Sequence, residues 1–429
     1  MTFTRNYCQN PLCTPSRASF LTGRYPWTTR VRQNGQDIGC DERLITRELA
    51  SSGWQCGLVG KLHIRHAFDG TEERGDDGYR FWQWSHGATQ KHGGAWVEWL
   101  GSKGVSVDDI YHSGVVLQSR RVDRADLHQT TWCFDRALDF IKAAGDAPWL
   151  VSINPFAVHD PFDYLPEFYD RYDPEKIPPP AYCEGELEGK PPVQSEAHQC
   201  SGYDQRGWAS TTDWERREMK AAYWAGVEHI DTEIGRLMDH LEATGQMENT
   251  LILYHADHGE LLGDHGMFAK GPFFYEPCVR VPMIWSLPGT LPEGVVSEAL
   301  VEQVDIVPTL CELLGQPGLE GLQGRSLLPV MFGRIDPTAH RDGVLSEYRS
   351  DKEYGREVTA TMWRQERYKI VIYHGEALGE LYDLENDPEE FKNLWNDPAF
   401  ANLRQELLRQ CFDARIAASD PLPKRLAPY

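Results

Sequence analysis

Short apolar runs alternate with segments of helical period along most of this chain. Leu44, Ile45, Glu48 and Leu49 recur at helical spacing, Gly53 breaks the pattern, and Gln55 to Val59 reads as a short buried strand. Asp126 to Ala143 repeats the step: Leu127, Thr131, Phe134, Leu138 and Ile141 mark one helix face, Gly145 stops it, and Trp149 to Ile153 follows as a strand. Val227, Ile230, Ile234, Leu237 and Leu241 line a long helix ending at Gly245, and Thr250 to Tyr254 is the continuous apolar run expected of a strand covered on both faces. Phe3 to Tyr7 reads as a strand tail or turn. Beyond about residue 335 the pattern changes to short alternating strands, Tyr368 to Tyr373 among them, with a turn at His374-Gly375.

Two regions show no period. Residues 66–112, rich in Trp, Gly and His (Trp82, Trp84, His86, His92, Trp96, Trp99), read as an insertion on the rim of a site, with packing a more common role for such Trp residues than ligand stacking. Residues 170–210, dominated by Pro, Glu and Gly, read as a surface excursion or lid.

Composition narrows the class. With 429 residues and 41% hydrophobic positions the chain buries a substantial core, as two or three domains or one large domain with an appendage. The formal net charge of -22 argues against a nucleic-acid partner, and no uninterrupted apolar run reaches the ~18 residues of a membrane span. An anionic substrate would need local cations to reverse that field. The ten cysteines are scattered without C-x-x-C pairs, and no signal peptide is visible, so reduced thiols in a cytoplasm are the expectation; whether Cys183 and Cys200 bridge stays open.

The candidate chemistry starts at Cys13-Thr14-Pro15-Ser16-Arg17-Ala18-Ser19-Phe20-Leu21-Thr22-Gly23-Arg24. Pro15 suits a first helical turn, Ser16 offers an oxygen to free N–H groups, and Gly23 is a stop, so Cys13 heads a short helix where free donors and the helix dipole welcome an anion. A lone cysteine is more often a small core residue than a nucleophile. This stretch, however, resembles position for position the signature of type I sulfatases. In that family the cysteine is oxidised to formylglycine, whose hydrated aldehyde is the nucleophile. Further elements agree: Gly60-Lys61-Leu62-His63, His159-Asp160-Pro161-Phe162, Asp257-His258-Gly259-Glu260 with Lys270 beyond it, and Glu380-Leu381-Tyr382-Asp383-Leu384 near the C-terminus. The resemblance runs from Phe3 to about Leu394.

What it implies is specific. The fold is expected to be alkaline-phosphatase-like α/β, a large mixed sheet flanked by helices (residues 1–335), with a small C-terminal α+β subdomain containing an antiparallel sheet (residues 336–429). Cys13, as formylglycine hydrate, is expected to attack sulfur, with Arg17 and a divalent cation lowering its pKa. Lys61, His159 and Lys270 surround the sulfate oxygens, His159 or Lys270 protonates the departing alcohol, and His63 takes a proton as sulfate leaves. Asp257, His258 and the oxygen at Cys13 are the metal ligands, with Ca²⁺ expected first and Mg²⁺ or Mn²⁺ as alternatives. The implied partners are a small-molecule or saccharide sulfate ester and a formylglycine-generating maturation enzyme. The family carries a strand upstream of the cysteine that ends in acidic metal ligands. None precede Cys13 here, so that strand is expected in a segment before Met1, the 429 residues being N-terminally incomplete. Two other readings remain: phosphonate or phosphate diester hydrolysis on the same machinery, and a glycan-binding pseudosulfatase, which ranks last because every motif residue is in place.

Overall fold

The computed structural model describes residues 1–68, 71–87, 93–114, 119–200, 207–353 and 355–422. In chain order come strand Thr2–Tyr7 (β1), helix Cys13–Thr22 (α1), helix Ile45–Ser51 (α2), strand Gln55–Gly60 (β2), strand Phe81–Trp84 (β3), helix Gln129–Ala144 (α3) and strand Trp149–Asn154 (β4). Helix Asp213–Ala243 (α4), strands Ile252–His255 (β5), Arg280–Ser286 (β6) and Val296–Glu302 (β7), and helix Ile306–Leu313 (α5) are the further main elements of the larger region.

β1 is an interior strand rather than a lead-in. It pairs antiparallel with β6 and parallel with β7 in a four-stranded sheet of order β5-β6-β1-β7. The parallel strands β3-β2-β4 form a second sheet, so the single large sheet expected from the resemblance is realised as two blocks. Helices cover both faces. Phe140 and Ile141 of α3 and Leu241 of α4 pack with Trp149, Val151 and Ile252, whereas Leu49 of α2 and Ile306 and Leu310 of α5 pack with Leu150, Leu251 and Leu253. This alternation along β4 is the period of two that carries one residue to each face.

Local chemistry sets the element ends. Gly23 closes α1 at φ 69°, donating to Ser19 O at 2.8 Å, a left-handed turn that glycine adopts without strain. Gly60 ends β2 at φ 88°, where an added Cβ would lie 2.0 Å from the Asn154 carbonyl oxygen, so glycine is what lets β2 and β4 meet above the site. α4 starts with a capping box: Glu215 accepts from Thr212 N at 2.7 Å, and Thr212 Oγ1 accepts from Glu215 N at 3.2 Å.

The two aperiodic regions are more ordered than expected. In residues 66–112, β3 joins the parallel sheet, and Trp84 and Trp96 are buried core residues, Trp96 within a helix over Ala95–Ser102. His92 lies outside the described residues. In residues 170–210, a helix spans Pro192–Gln199, and buried Lys190 pairs with Glu186 at 3.2 Å while donating to Tyr275 Oη at 2.9 Å. Prolines and glycines hid an anchored segment because side-chain pairing, not periodicity, fixes it; residues 201–206 fall outside the described set. Cys183 and Cys200 are both free thiols.

Strands Gly343–Glu353 (β8), Arg356–Gln365 (β9), Tyr368–Tyr373 (β10) and Glu380–Asp383 (β11) form an antiparallel meander, followed by helix Ala401–Ala417 (α6). This sheet shares its core with the larger region through Tyr7, Val279, Tyr348 and Met362. Lys369 of β10, fully buried, bridges Glu276 and Glu390 at 2.7 Å each and donates to Phe274 O at 2.9 Å. The meander thereby braces the segment that follows Lys270. Among the described residues no helix is long and apolar enough to cross a membrane.

Candidate active site

The sequence-predicted residues converge at the carboxyl ends of β2, β4 and β5 and at the first turn of α1. Cys13 opens α1, buried, and its Sγ lies 3.0 Å from His258 Nε2. His258 Nδ1 faces the Gly259 carbonyl oxygen at 2.9 Å; a carbonyl only accepts, so Nδ1–H donates there and Nε2 is left to face sulfur. Burial acts to raise the Cys13 pKa. The positive charges of Lys61 and His258 outweigh it and hold the thiol well below its usual range. For His258 burial acts to lower the pKa, but the negative charges of Asp257 and Cys13 prevail and raise it.

Arg17, one turn along α1, ties the site together. Its Nε donates to Asp257 Oδ2 at 2.8 Å and its Nη1 to the Lys61 carbonyl oxygen at 2.9 Å. Burial pushes the Asp257 carboxyl upward, yet Arg17 and His258 hold it well below the ordinary carboxylate range, so it stays anionic. Ser16 does not cap α1 as expected. Its hydroxyl sits between the Asp257 carbonyl oxygen at 2.5 Å and Gln303 Oε1 at 2.9 Å, and Asn34 Oδ1 takes the free Thr14 N–H at 3.0 Å instead. Ser16 thus pins the helix to the Asp257 loop.

Lys61 and His63 follow β2. Lys61 is buried, its ammonium 5.6 Å from the Phe156 ring centroid, and its carbonyl also accepts from Asn154 Nδ2 at 2.9 Å. Burial lowers the Lys61 pKa, with Cys13 opposing. His63 has φ 56°, a left-handed conformation that a non-glycine residue keeps only when its surroundings impose it. Glu72 imposes it, accepting the backbone N–H of His63 at 2.7 Å, Ile64 at 2.8 Å and Arg65 at 3.0 Å. Burial and Lys61 bring the His63 pKa down to about 4, leaving a neutral imidazole near pH 7. His159 follows β4, and its Nε2 lies 2.7 Å from Lys270 Nζ. Burial and Lys270 lower its pKa as well.

The ligand atoms of Cys13, Asp257 and His258 all lie within 4.8 Å of one another, and the two carboxylate and imidazole groups are only partly buried. That spacing fits one shared divalent cation; the three donors are fewer than the six to eight that Ca²⁺ takes, leaving room for further oxygens. All eight sequence-predicted residues are therefore in one neighbourhood. Four contributors escaped sequence reasoning. Asn154 was signalled as the polar end of the apolar run of β4, whereas Glu72, Asn34 and Gln303 act across distances that no spacing reveals.

The sulfatase family model matches residues 1–316, and that of the C-terminal region of N-sulphoglucosamine sulphohydrolase matches residues 263–417. The chain is 27% identical to the multifunctional alkaline phosphatase superfamily protein PehA of Trinickia caryophylli, over 98% of this chain and 88% of that protein. It is 29% identical to a choline-sulfatase of Rhizobium meliloti, over 92% and 75%. Among solved structures, the phosphonate monoester hydrolase SpPMH from Silicibacter pomeroyi superposes with a TM-score of 0.84 at 27% identity, covering 98% of this chain and 88% of that one. The fold is alkaline-phosphatase-like.

Proposed function

The chain belongs to the sulfatase family, and from that membership we propose that it cleaves its ester with a formylglycine made from Cys13 and a divalent cation held beside it. It is a sulfuric ester hydrolase, releasing inorganic sulfate and an alcohol. The observation that carries the finer reading is the arrangement around Cys13: Asp257 and His258 offer ligand atoms within 4.8 Å of its sulfur, and Lys61 and His63 act on the same group.

Oxidised by a formylglycine-generating enzyme, position 13 supplies a hydrated aldehyde whose hydroxyl attacks sulfur. Asp257, His258 and the oxygen at position 13 would hold a divalent cation, which would supply Lewis-acid polarisation there. Ca²⁺ is the first candidate, for the hard carboxylate oxygen, with Mg²⁺ or Mn²⁺ behind it. Arg17 keeps Asp257 anionic and aligned. Lys61, Lys270 and His159 bind the sulfate oxygens and reverse, locally, the field of a strongly acidic protein. Lys270 holds the proton delivered to the leaving alcohol, and neutral His63 is suited to accept one from position 13. The choline-sulfatase relative favours the sulfate of a small alcohol as the ester, and the N-acetylglucosamine-6-O-sulfatase relative favours a sugar sulfate.

A second reading is phosphonate or phosphate diester hydrolysis, favoured by the likeness to a phosphonate monoester hydrolase and by the tetrahedral anion common to both substrates. Both readings are tested on protein co-expressed with a formylglycine-generating enzyme, comparing nitrophenyl sulfate with a nitrophenyl phosphonate. Faster sulfate-ester turnover, lost on chelation and restored by Ca²⁺, is expected. Faster phosphonate turnover favours the second reading, and turnover indifferent to chelation contradicts the cation.

A further inference from the structure

Lys270 ends a loop that starts after Asp257 and His258 and folds back on itself: Leu261 N donates to Ala269 O at 3.1 Å, and Gly263 N donates to Met267 O at 2.9 Å. Three non-glycine residues of this loop, Leu262, His265 and Ala269, hold left-handed φ values of 51°, 56° and 62°. Such conformations persist only where the surroundings impose them. The surroundings here are residues 180–198. Ala181 O accepts from His265 N at 2.7 Å, Ala181 N donates to Asp264 Oδ1 at 2.8 Å, and His198 Nδ1–H donates to Gly266 O at 2.9 Å.

The same segment grips the loop by a buried side chain. Burial pushes the Glu186 carboxyl up, but the hydrogen bond from His265 and the charge of Lys190 hold it below its usual range, so it is anionic. Its Oε2 lies 2.8 Å from His265 Nδ1; a carboxylate only accepts, so Nδ1–H donates. On its face the His265 ring stacks on Tyr275, centroids 3.6 Å apart at 13°, and Tyr275 Oη in turn donates to Gln194 Oε1 at 2.6 Å. Glu186, Lys190 and His265 are all buried. Apolar residues of similar volume stabilise a fold as well as such a set does, so what the set adds is a fixed geometry at the tip of the loop.

We propose that His265 is a positioning residue for Lys270: held by Glu186 and Tyr275, it fixes the loop so that Lys270 Nζ stays 2.7 Å from His159 Nε2 and aimed at the leaving oxygen. The inference rests on the reading of Lys270 as the proton donor, and it makes residues 180–198, which lie outside every motif, a support of the catalytic apparatus. A donor held in place matters most where the leaving group needs its proton.

His265→Gly leaves the left-handed backbone unstrained and removes only the ring. In protein co-expressed with a formylglycine-generating enzyme, it is expected to lower kcat on an alkyl sulfate by about 10- to 100-fold with KM little changed. On nitrophenyl sulfate the loss should be far smaller, and once Lys270 is alanine the change should cost nothing further. His265→Asn, which tolerates the turn and keeps an N–H for Glu186, should recover most of the loss. His198→Ala breaks only the contact at Gly266 and should weaken the alkyl ester selectively, to a smaller extent. An equal loss on both esters that adds fully to that of Lys270→Ala overturns the proposal, as does an unchanged alkyl-ester rate in His265→Gly. If His265→Gly does not fold, an unchanged ester ratio in His198→Ala overturns it. The reading of Lys270 as the acid fails separately, when Lys270→Ala itself depresses both esters alike; a His265→Gly loss that vanishes in the Lys270→Ala background then still reports positioning.

Discussion

Lys270 Nζ lies 2.7 Å from His159 Nε2, while His159 Nδ1 lies 2.7 Å from the Asp160 carbonyl oxygen. Because a carbonyl only accepts, Nδ1 carries the ring proton and Nε2 accepts from Lys270. With burial and Lys270 both lowering its pKa, His159 is neutral, and Lys270 is the proton-bearing member of the pair.

Lys270→Ala should therefore slow hydrolysis of an alkyl sulfate by about 10²–10⁴-fold, and of nitrophenyl sulfate, whose leaving group needs no proton, much less. His159→Ala should depress both substrates more evenly. The ratio of kcat/KM for the two esters is the measurement, and an equal loss in Lys270→Ala would assign that residue to binding.

Glu72 shapes the loop bearing His63 without facing the chemistry. Its carboxylate accepts three backbone N–H groups and Trp84 Nε1, the last at 2.9 Å. Gln in its place has a single acceptor oxygen, so buried donors go unpaired, at a cost of about 1–3 kcal/mol. Glu72→Gln is expected to melt earlier and to lower kcat more than it raises KM. A variant that melts earlier with unchanged kcat would show that Glu72 serves stability alone.

Much of this arrangement was legible because strands deliver polar residues at their carboxyl ends, a rule visible in sequence as an apolar run followed by a motif. The run at 250–254 is realised as β5, that at 149–153 as β4, and each ends in its motif. The start of α4 was also written in the chain, as the capping pair Thr212 and Glu215 that precedes the apolar face from Val227 onward. Interior β1 was unreadable as such because pairing partners near residues 284 and 297 are far away in sequence. The same holds for Glu72 and Gln303: a carboxylate gathering N–H groups or an amide bracing Ser16 leaves no period. At Trp96 the preferred packing role is borne out, although the aromatic richness of its segment had suggested a rim rather than the core.

Asp163 predicts a pH effect on stability. Burial raises its pKa from 3.8 to about 7, with Arg120 opposing, and its Oδ1 lacks a hydrogen-bond partner among the described residues. A carboxyl with a raised folded pKa contributes stability that is fully present below the unfolded value, near 4, and lost as pH rises through about 7. Each tenfold change in proton affinity is worth about 1.4 kcal/mol, so between pH 5 and pH 8 this group should remove about 3 kcal/mol. Asp163→Asn should gain on the wild type as pH rises across that window. A melting-temperature difference between the two proteins that does not change with pH would contradict it.

The central claim is that position 13 carries the nucleophile. The most direct measurement is inorganic sulfate released from nitrophenyl sulfate by the wild type and by Cys13→Ala, each co-expressed with a formylglycine-generating enzyme and shown by circular dichroism to be folded. The wild type should release sulfate and the variant none above the uncatalysed rate; substantial release by folded Cys13→Ala would contradict the account.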